Sequence, residues 1–247
     1  MNEDLGFNKS LSRVYDKLTA ESYYSMFFDS IFSCFDESVK NKSHLDLGCG
    51  NGKLCRQFMD KRVSKSTGLD ISQEQIDIAK SLYGGSKFSF KTQDVYMPFD
   101  LTETYDIVTS IYSLHFAQNY KVLRQASQNI KQHTVDGGIA IVLDITHDYV
   151  YQKNKMQELK ELTMYEYNPN INEGEVPKAW QTVEGFVHTA SEIIQVDHIA
   201  IHGDNLIQAL KDSGFKTVER RPFIHSNKYF TDLWGENGFN HHLLFCQ

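Results

Sequence analysis

Three glycines stand at every second position after a short apolar run, and this spacing constrains the fold more than any other feature of the chain. The run reads His44-Leu45-Asp46-Leu47-Gly48-Cys49-Gly50-Asn51-Gly52. Glycine has no Cβ and tolerates positive φ, so alternating glycines allow a sharp turn from a strand into a helix, with backbone amides that can lie against a ligand. The sequence therefore predicts a ligand-binding loop at the end of a buried strand.

Two acidic residues follow this loop at the ends of further predicted strands. Asp70 lies about twenty residues after the loop, where a carboxylate can accept hydrogen bonds from both hydroxyls of a ribose. Asp94 follows the alternating strand Phe88–Thr92. The dinucleotide fingerprint requires a third glycine five positions after the first, but this chain has Lys53 there. The spacing therefore departs from the dinucleotide pattern while keeping its combination of strand, glycines and acid.

The motifs occur in an order that is typical of one enzyme family. The pattern Asp-x-Gly-x-Gly-x-Gly over residues 46–52, then Asp70, then Asp94 followed four residues later by Pro98-Phe99, resembles the motifs of the class I S-adenosylmethionine-dependent methyltransferases. The resemblance covers about residues 40–145. It implies S-adenosylmethionine as the cofactor and methyl transfer by in-line attack of a small-molecule acceptor, aligned in a desolvated aromatic pocket.

The resemblance also implies which residues bind the cofactor. Asp46 orients the loop or approaches the amino group of the ligand, Asp70 binds the ribose, and Ile71 forms an apolar plate against the adenine. Asp94 faces the exocyclic amine of the adenine, and the backbone amide of Val95 meets a ring nitrogen. The complete predicted set is Tyr15, Tyr23, Tyr24, Asp46, Gly48, Cys49, Gly50, Gly52, Asp70, Ile71, Asp94, Val95 and Ser110.

Two parts of this set lie outside the glycine and aspartate motifs. The three tyrosines precede the first strand, on two amphipathic helices predicted between about residues 10 and 38, and in this family the N-terminal helix commonly covers the cofactor. Ser110 is near the end of the predicted strand Asp106–Ile111, where backbone carbonyls can accept from the ammonium group of the cofactor.

Two histidines are candidates for a general base. His115 and His147 both follow strand ends at the ligand edge of the sheet, and imidazole titrates near neutral pH. In-line methyl transfer does not require a dedicated base. The segment Ser110–Phe116 lacks the Asn-Pro-Pro-Tyr or Asp-Pro-Pro-Tyr form used by enzymes that methylate amino groups of flipped bases, which counts against that activity. We expect no metal site, because His198 and His202 would lie roughly 13 Å apart along an extended strand.

Strands and helices alternate along the predicted core. This rhythm predicts an α/β fold with a doubly wound, seven-stranded, mostly parallel sheet and an antiparallel last strand, the Rossmann-like methyltransferase fold. We expect one domain over residues 1–247, with an N-terminal helical lid over residues 1–40 and an inserted substrate cap over residues 146–202. Within the cap, Thr182–Thr189 and Glu192–Ile201 predict a small β pair.

Local signals set several element boundaries. Ser72 with Gln75 forms a capping-box pattern at a helix start, and Asp204 is predicted to cap a later short helix. The last two strands are predicted at Phe215–Arg221 and His241–Cys246, joined without a helix and therefore antiparallel.

Composition narrows the function classes. The formal net charge of −7 and the pI near 5.8 disfavour a protein that wraps a nucleic acid, since such binding neutralises many phosphates with Lys and Arg. The chain has no apolar run of the roughly 20 residues that a membrane helix needs and no secretory signal, so we expect a soluble, cytoplasmic protein. The cysteines are predicted to be free thiols: Cys34, Cys49, Cys55 and Cys246.

Two other functions remain open on these residues. An NAD-dependent oxidoreductase has the same order of a strand, a glycine-rich loop and a later acidic residue, but it would have glycine in place of Lys53. A non-catalytic partner subunit could keep the methyltransferase fold without a substrate of its own.

Overall fold

The computed structural model describes residues 22–35, 39–99, 101–163, 165–188, 193–221 and 241–247. The predicted cofactor residue Tyr15 lies outside these ranges, and the side chains of Tyr23 and Tyr24 are not described. Among the described residues, no helix is long and apolar enough to cross a membrane.

Strands in the described part of the chain form a seven-stranded main sheet in the order β3-β2-β1-β4-β5-β11-β10. Its strands are β1 (Ser43–Leu47), β2 (Lys65–Asp70), β3 (Phe88–Thr92), β4 (Tyr105–Ile111), β5 (Thr134–Ile145), β10 (Val218–Arg221) and β11 (His241–Cys246). The first five strands are parallel, and β11 is antiparallel to both β5 and β10. The predicted fold class is confirmed.

Helices cover both faces of this sheet. They are α1 (Ser22–Ser33), α2 (Lys53–Asp60), α3 (Gln73–Leu82), a 3₁₀ turn (Leu114–Phe116), α4 (Tyr120–Gln132), α5 (Lys153–Thr163) and α6 (Gly203–Asp212). Apolar side chains of α4 and α6 share one core with Leu45 and Val108, while those of α1 and α2 share another core with Ile107 and Ile141. Since neighbouring residues of a strand point to opposite faces, the sheet separates the two cores.

The topology places one edge of the main sheet at a switch point. The chain leaves β1 for β2 on one side and later reaches β4 on the other side, and both β2 and β4 pair with β1. Loops that follow the carboxyl ends of these strands diverge there, and open α/β sheets bind ligands in the resulting crevice.

A second sheet lies within the predicted cap. It contains β6 (Tyr165–Asn168), β7 (Thr182–His188), β8 (Ile193–Gln195) and β9 (His198–Ile199), with β6, β8 and β9 all antiparallel to β7. The predicted β pair is therefore present, but its second segment is divided into β8 and β9. Between β8 and β9, the backbone N–H of Val196 still donates to the carbonyl of Gly185 on β7 at 2.7 Å.

Some predicted boundaries are confirmed and others are wrong. The Ser72 hydroxyl accepts from the Gln75 N–H at 3.3 Å and caps α3 as predicted. Asp204 is not the cap of α6: His202 has the extended backbone of an N-cap, and Asp204 lies in the first turn, where its charge favours the helix dipole. Strand β10 begins at Val218 rather than Phe215, because Phe215 is buried in the core against the end of α6.

A buried histidine links the three central strands. His44 on β1 has Nδ1 2.8 Å from the Ser66 hydroxyl on β2 and Nε2 2.9 Å from the Thr109 hydroxyl on β4. Thr109 in turn donates to Asp46 Oδ1 at 2.6 Å, so His44 donates from Nε2 and accepts at Nδ1. The ring stacks on Phe58 with centroids 3.8 Å apart. Burial lowers the pKa of His44 to about 3.

This histidine makes the stability of the fold sensitive to acid. With a native pKa of about 3 against an unfolded value near 6.5, the unfolded chain takes up the proton first, so stability is lost as the pH falls below 6.5. At pH 5 the loss is about 2 kcal/mol. We expect His44→Gln to show a flatter decrease in the free energy of unfolding between pH 7 and pH 5, measured by urea denaturation. An unchanged slope in His44→Gln would contradict a neutral buried imidazole.

Candidate functional site

A cleft opens at the carboxyl ends of β1, β2 and β4. Its walls combine the glycine loop, the ends of the next strands and one face of α1. They are formed by Phe27, Phe28, Asp46, Gly48, Cys49, Gly50, Asn51, Lys53, Leu54, Asp70, Ile71, Asp94, Val95, Tyr96, Ile111, Tyr112, Ser113 and Phe116.

The three loop glycines serve different purposes. All of them have positive φ, of 81°, 52° and 81° along the chain. A Cβ on Gly48 would lie 2.4 Å from the Cβ of Ser113, and a Cβ on Gly52 would lie 2.8 Å from the ring of Phe90. A Cβ on Gly50 would meet nothing closer than the Gln75 side chain at 3.7 Å. Gly48 and Gly52 therefore permit close packing, and Gly48 and Gly50 but not Gly52 line the cleft.

Asp70 holds the loop in place. One carboxylate oxygen accepts the backbone N–H of Gly50 and the other accepts that of Ser72, both at 2.8 Å. Burial raises the pKa of Asp70, while these two N–H groups act in the opposite direction. Each carboxylate oxygen retains a further acceptor site for a ligand. Ile71, next in the chain, is 60% exposed at the mouth of the cleft.

Asp46 is the most buried carboxylate of the cleft, with 2% of its surface exposed. The pKa of Asp46 is raised to about 7, chiefly by burial and also by the nearby charge of Asp70, while the hydrogen bond from Thr109 acts in the opposite direction. A cationic group beside Asp46 would favour the ionised carboxylate.

The segment after β3 is fixed from both sides. Asp94 Oδ1 accepts the backbone N–H of Tyr96 at 2.9 Å. The buried amide of Asn129 donates to the carbonyls of Val95 and Met97 at 2.8 and 2.9 Å. The Tyr96 hydroxyl donates to the backbone carbonyl of Ser113. This segment is therefore joined to the end of β4 across the cleft.

The end of β4 carries residues that the sequence did not reveal. Tyr112 has φ of 51°, a backbone conformation that is uncommon for a residue with a side chain, and its N–H donates to the Leu143 carbonyl at 2.7 Å. Its ring meets the edge of Phe27 from α1, with centroids 5.1 Å apart. Ser110, predicted to border the ligand, is buried behind the wall, with its hydroxyl 2.7 Å from that of Ser113.

The cleft thus contains eight residues of the predicted cofactor set and ten that were not predicted. The sequence does not predict that Phe27 and Phe28 line a cleft, because apolar residues with helical spacing are typical of ordinary core packing. The unpredicted residues are Phe27, Phe28, Asn51, Lys53, Leu54, Tyr96, Ile111, Tyr112, Ser113 and Phe116.

The two candidate bases are buried beside the cleft. His115 Nδ1 lies 2.6 Å from Asp144 Oδ1, and its ring is next to that of Phe116, with centroids 4.2 Å apart. The pKa of His147 is lowered to about 3, chiefly by burial, with the proximity of His115 and His202 acting in the same direction. Within the described ranges, no group of three or more His, Cys, Asp or Glu residues is arranged to hold a metal ion.

The arrangement suits a ligand with a flat apolar part and positive charge. Three carboxylates, those of Asp46, Asp70 and Asp94, lie among mostly apolar walls and can accept hydrogen bonds from hydroxyl, amine or ammonium groups. Aromatic side chains such as Phe28 and Tyr112 add surfaces that attract a cation.

Comparison with known proteins agrees with this geometry. The family model described as a methyltransferase domain matches residues 21–220. A solved S-adenosylmethionine-dependent methyltransferase from Mesorhizobium loti has a similar fold, with a TM-score of 0.62 and 18% identity over 90% of this chain and 97% of that one.

Curated relatives match less than half of this chain. Juvenile hormone acid O-methyltransferase of Bombyx mori is 29% identical over 112 residues, which are 43% of this chain and 39% of that protein. Ajmaline N-methyltransferase of Rauvolfia serpentina is 30% identical over 118 residues, 45% of this chain and 39% of that protein. An mRNA cap guanine-N(7) methyltransferase of Cryptococcus neoformans is 27% identical over 112 residues, 39% of this chain and 18% of that protein. The match spans about two fifths or less of each relative's length.

Substitution of Gly48 should lower the unfolding free energy for two reasons, the positive φ and the overlap with Ser113, and a second glycine allows these two effects to be measured separately. Gly137 also has positive φ, of 74°, but a Cβ there would meet no atom within 4 Å. We expect Gly137→Ala to lose about 1–2 kcal/mol of unfolding free energy from backbone strain alone. Gly48→Ala should lose about 1–3 kcal/mol more because of the overlap with Ser113.

Chemical denaturation of both variants measures this difference. Adding Ser113→Gly to Gly48→Ala removes the contacting Cβ and should recover part of the extra loss. Equal losses for the two alanine variants would show that close packing at Gly48 is unimportant.

Proposed function

We propose that this protein methylates a small-molecule acceptor. The family model for a methyltransferase domain matches residues 21–220, so the chain belongs to that family, within the class I S-adenosylmethionine-dependent methyltransferases. S-adenosylmethionine supplies a methyl group that is activated by a positively charged sulfur. The NAD-dependent alternative does not agree with membership of this family. The non-catalytic alternative is an outcome of the tests below.

The observation that carries the proposal is the arrangement of Asp70 and the glycine loop. The Asp70 carboxylate accepts hydrogen bonds from the N–H groups of Gly50 and Ser72 and lines the cleft beside Ile71. A fixed carboxylate of this kind accepts hydrogen bonds from a ribose, and the exposed Ile71 offers an apolar surface for a base. The residues present therefore fit the nucleoside part of the donor.

The remaining carboxylates fit the charged part of the donor. Asp46 is buried at the base of the cleft and Asp94 lies on the opposite wall. We propose that Asp46 pairs with the ammonium group and that Asp94 accepts from the amine of the adenine. Phe28 and Tyr112 then stand near the positively charged sulfur, which aromatic faces stabilise.

A small-molecule acceptor is favoured by several features together. Two of the relatives are named for small-molecule acceptors, one methylated at oxygen and one at nitrogen. The second sheet, β6 to β9, contacts the 3₁₀ turn beside the cleft through the rings of His198 and Phe116, whose centroids are 5.7 Å apart. The relative that methylates an mRNA cap makes RNA the competing acceptor, but the net charge of −7 disfavours it.

We further propose that His115 rather than His147 accepts the proton of the acceptor. Asp144 Oδ1 accepts Nδ1–H of His115 at 2.6 Å, which leaves Nε2 as the basic nitrogen. Asp144 itself is fixed by the backbone N–H groups of Leu114 and Ile145, at 2.6 and 2.8 Å. His147, whose pKa burial lowers to about 3, is too weak a base for this role near neutral pH.

Removal of the Asp70 side chain should weaken donor binding. Asp70→Ala loses the acceptor for the ribose and releases the Gly50 N–H, so we expect the Kd for S-adenosylhomocysteine to rise about 10- to 100-fold, on the basis of 1–3 kcal/mol for such hydrogen bonds. Calorimetric titration measures the Kd. Asp77→Ala, at an exposed position on α3, is the matched control and should bind normally. Unchanged affinity in folded Asp70→Ala would refute the proposed donor site.

Donor binding should also release a proton from Asp46. Its pKa of about 7 in the free protein falls when a cation binds beside it, so affinity for S-adenosylmethionine should rise with pH up to about 7 and then level off. At pH 6.5, titrations in buffers with different ionisation enthalpies should report release of roughly half to one proton. Asp46→Asn should abolish this release. The same release in Asp46→Asn would assign it to another group, of which Asp70 is the nearest candidate.

A further inference from the structure

A buried histidine on the second sheet has no evident structural partner for its polar atoms. His198 on β9 is 3% exposed, and neither ring nitrogen has a hydrogen-bond partner among the described residues. Its ring stacks on His115, with centroids 4.7 Å apart and planes 16° apart, and meets Tyr167 edge-on at 5.3 Å. Buried polar groups are normally hydrogen-bonded, so two such atoms in one side chain call for a ligand or water.

A second buried histidine follows β5, where the backbone N–H of His147 donates to the Ile201 carbonyl at 2.8 Å. Nδ1 of His147 is also buried without a hydrogen-bond partner in the described part of the chain. Burial lowers the pKa of both His147 and His198, and each is lowered further by the proximity of His115. These two imidazoles are therefore neutral, and each has one nitrogen that donates and one that accepts.

The packing around His198 keeps its ring close to the cleft. Gly185 on β7 leaves room for it, since a Cβ on Gly185 would lie 3.2 Å from His198 Nε2 and 2.2 Å from the Val196 carbonyl. On the other side stands Phe116, which lines the cleft and lies 4.2 Å from His115 and 5.7 Å from His198 between ring centroids. The rings of His115 and His198 thus pack against each other and against Phe116, a residue of the cleft wall.

We propose that His198, with His115 and His147, forms the subsite for the methyl acceptor, and that the group bound there is an uncharged hydroxyl. This inference rests on the proposed methyltransferase function and specifies its acceptor.

The chemistry of the cluster selects a hydroxyl over other acceptor groups. A hydroxyl donates one hydrogen bond and accepts others, which matches a pair of neutral imidazoles. A carboxylate would be placed beside the buried Asp144, and like charges at close range are unfavourable. A charged amine would need an available carboxylate, but Asp144 already accepts from Leu114, Ile145 and His115.

The same geometry places a base, His115, in position to take the proton of the acceptor hydroxyl. The hydroxyl oxygen forms a bond to the methyl carbon while the bond from that carbon to sulfur breaks, and sulfur keeps the electron pair to give S-adenosylhomocysteine. The hydroxyl proton passes to Nε2 of His115, whose Nδ1–H remains bonded to Asp144. His198 is then an acceptor-binding residue that holds the oxygen, and it takes no proton itself.

A pair of substitutions at one position tests the subsite. His198→Leu removes both ring nitrogens, whereas His198→Gln keeps a donor and an acceptor in a side chain of similar reach. The acceptors are phenol, benzyl alcohol, benzoic acid and benzylamine, each supplied with S-adenosylmethionine, and S-adenosylhomocysteine formation is measured. We expect the wild-type protein to use the two hydroxyl compounds, His198→Leu to lower kcat/KM at least tenfold, mainly through KM, and His198→Gln to restore part of it.

Controls separate a binding role from a structural one. His198→Leu should melt no lower than the wild type, because it removes two buried nitrogens without partners. Its Kd for S-adenosylhomocysteine should be unchanged. His188→Leu, on the same sheet but partly exposed and paired with Glu166 at 2.7 Å, should keep full activity.

Several results would overturn the inference. Methylation of benzoic acid or benzylamine in preference to the hydroxyl compounds, no turnover of either hydroxyl compound by protein that binds S-adenosylhomocysteine, or an unchanged kcat/KM in His198→Leu would each do so. A wild-type protein that binds neither S-adenosylmethionine nor S-adenosylhomocysteine would instead refute the proposed function itself, so the two failures are distinguishable.

Discussion

A chain of hydrogen bonds across three central strands holds the most buried carboxylate of the cleft. Thr109 on β4 joins His44 and Asp46, which point to the same face of β1, and His44 continues the chain to Ser66 on β2. All four side chains are buried, so each depends on its neighbour to satisfy its polar atoms. The register of the three strands and the position of Asp46 are therefore linked. The glycine loop follows β1 directly, so the same strands also determine where the loop lies.

Groups with perturbed ionisation are concentrated around this edge of the sheet. Burial raises the pKa of Asp46 and Asp70 and lowers that of His147 and His198. Each shift reflects a charged form that the folded protein disfavours, and such groups cluster at functional sites. Asp46 and Asp70 line the cleft, and His198 packs with His115 against Phe116 of the cleft wall.

The sequence predicted features formed by residues close together in the chain, but it did not predict contacts between residues far apart in the chain. The glycine loop and the acids at strand ends are local patterns, and residues such as Gly48, Asp70 and Asp94 do line the cleft. Phe27 could not be distinguished from core packing, because its spacing on α1 is that of any amphipathic helix. His198 was considered only as a metal ligand with His202, since nothing near it in the chain indicates that its ring stacks on His115.

The sequence by itself determined the order of strands and helices along the chain, the conformation of the glycine loop and the acidic residues of the cleft. These features depend on backbone preferences and side-chain alternation within a few residues. Only the tertiary structure decided which residues meet around the cleft: the contact of Gly48 with Ser113, the hydrogen bond from His115 to Asp144, and the packing of His198 against Phe116. The physical reason is that these residues are far apart in the chain, so their contacts arise from the packing of whole elements, which no local pattern encodes.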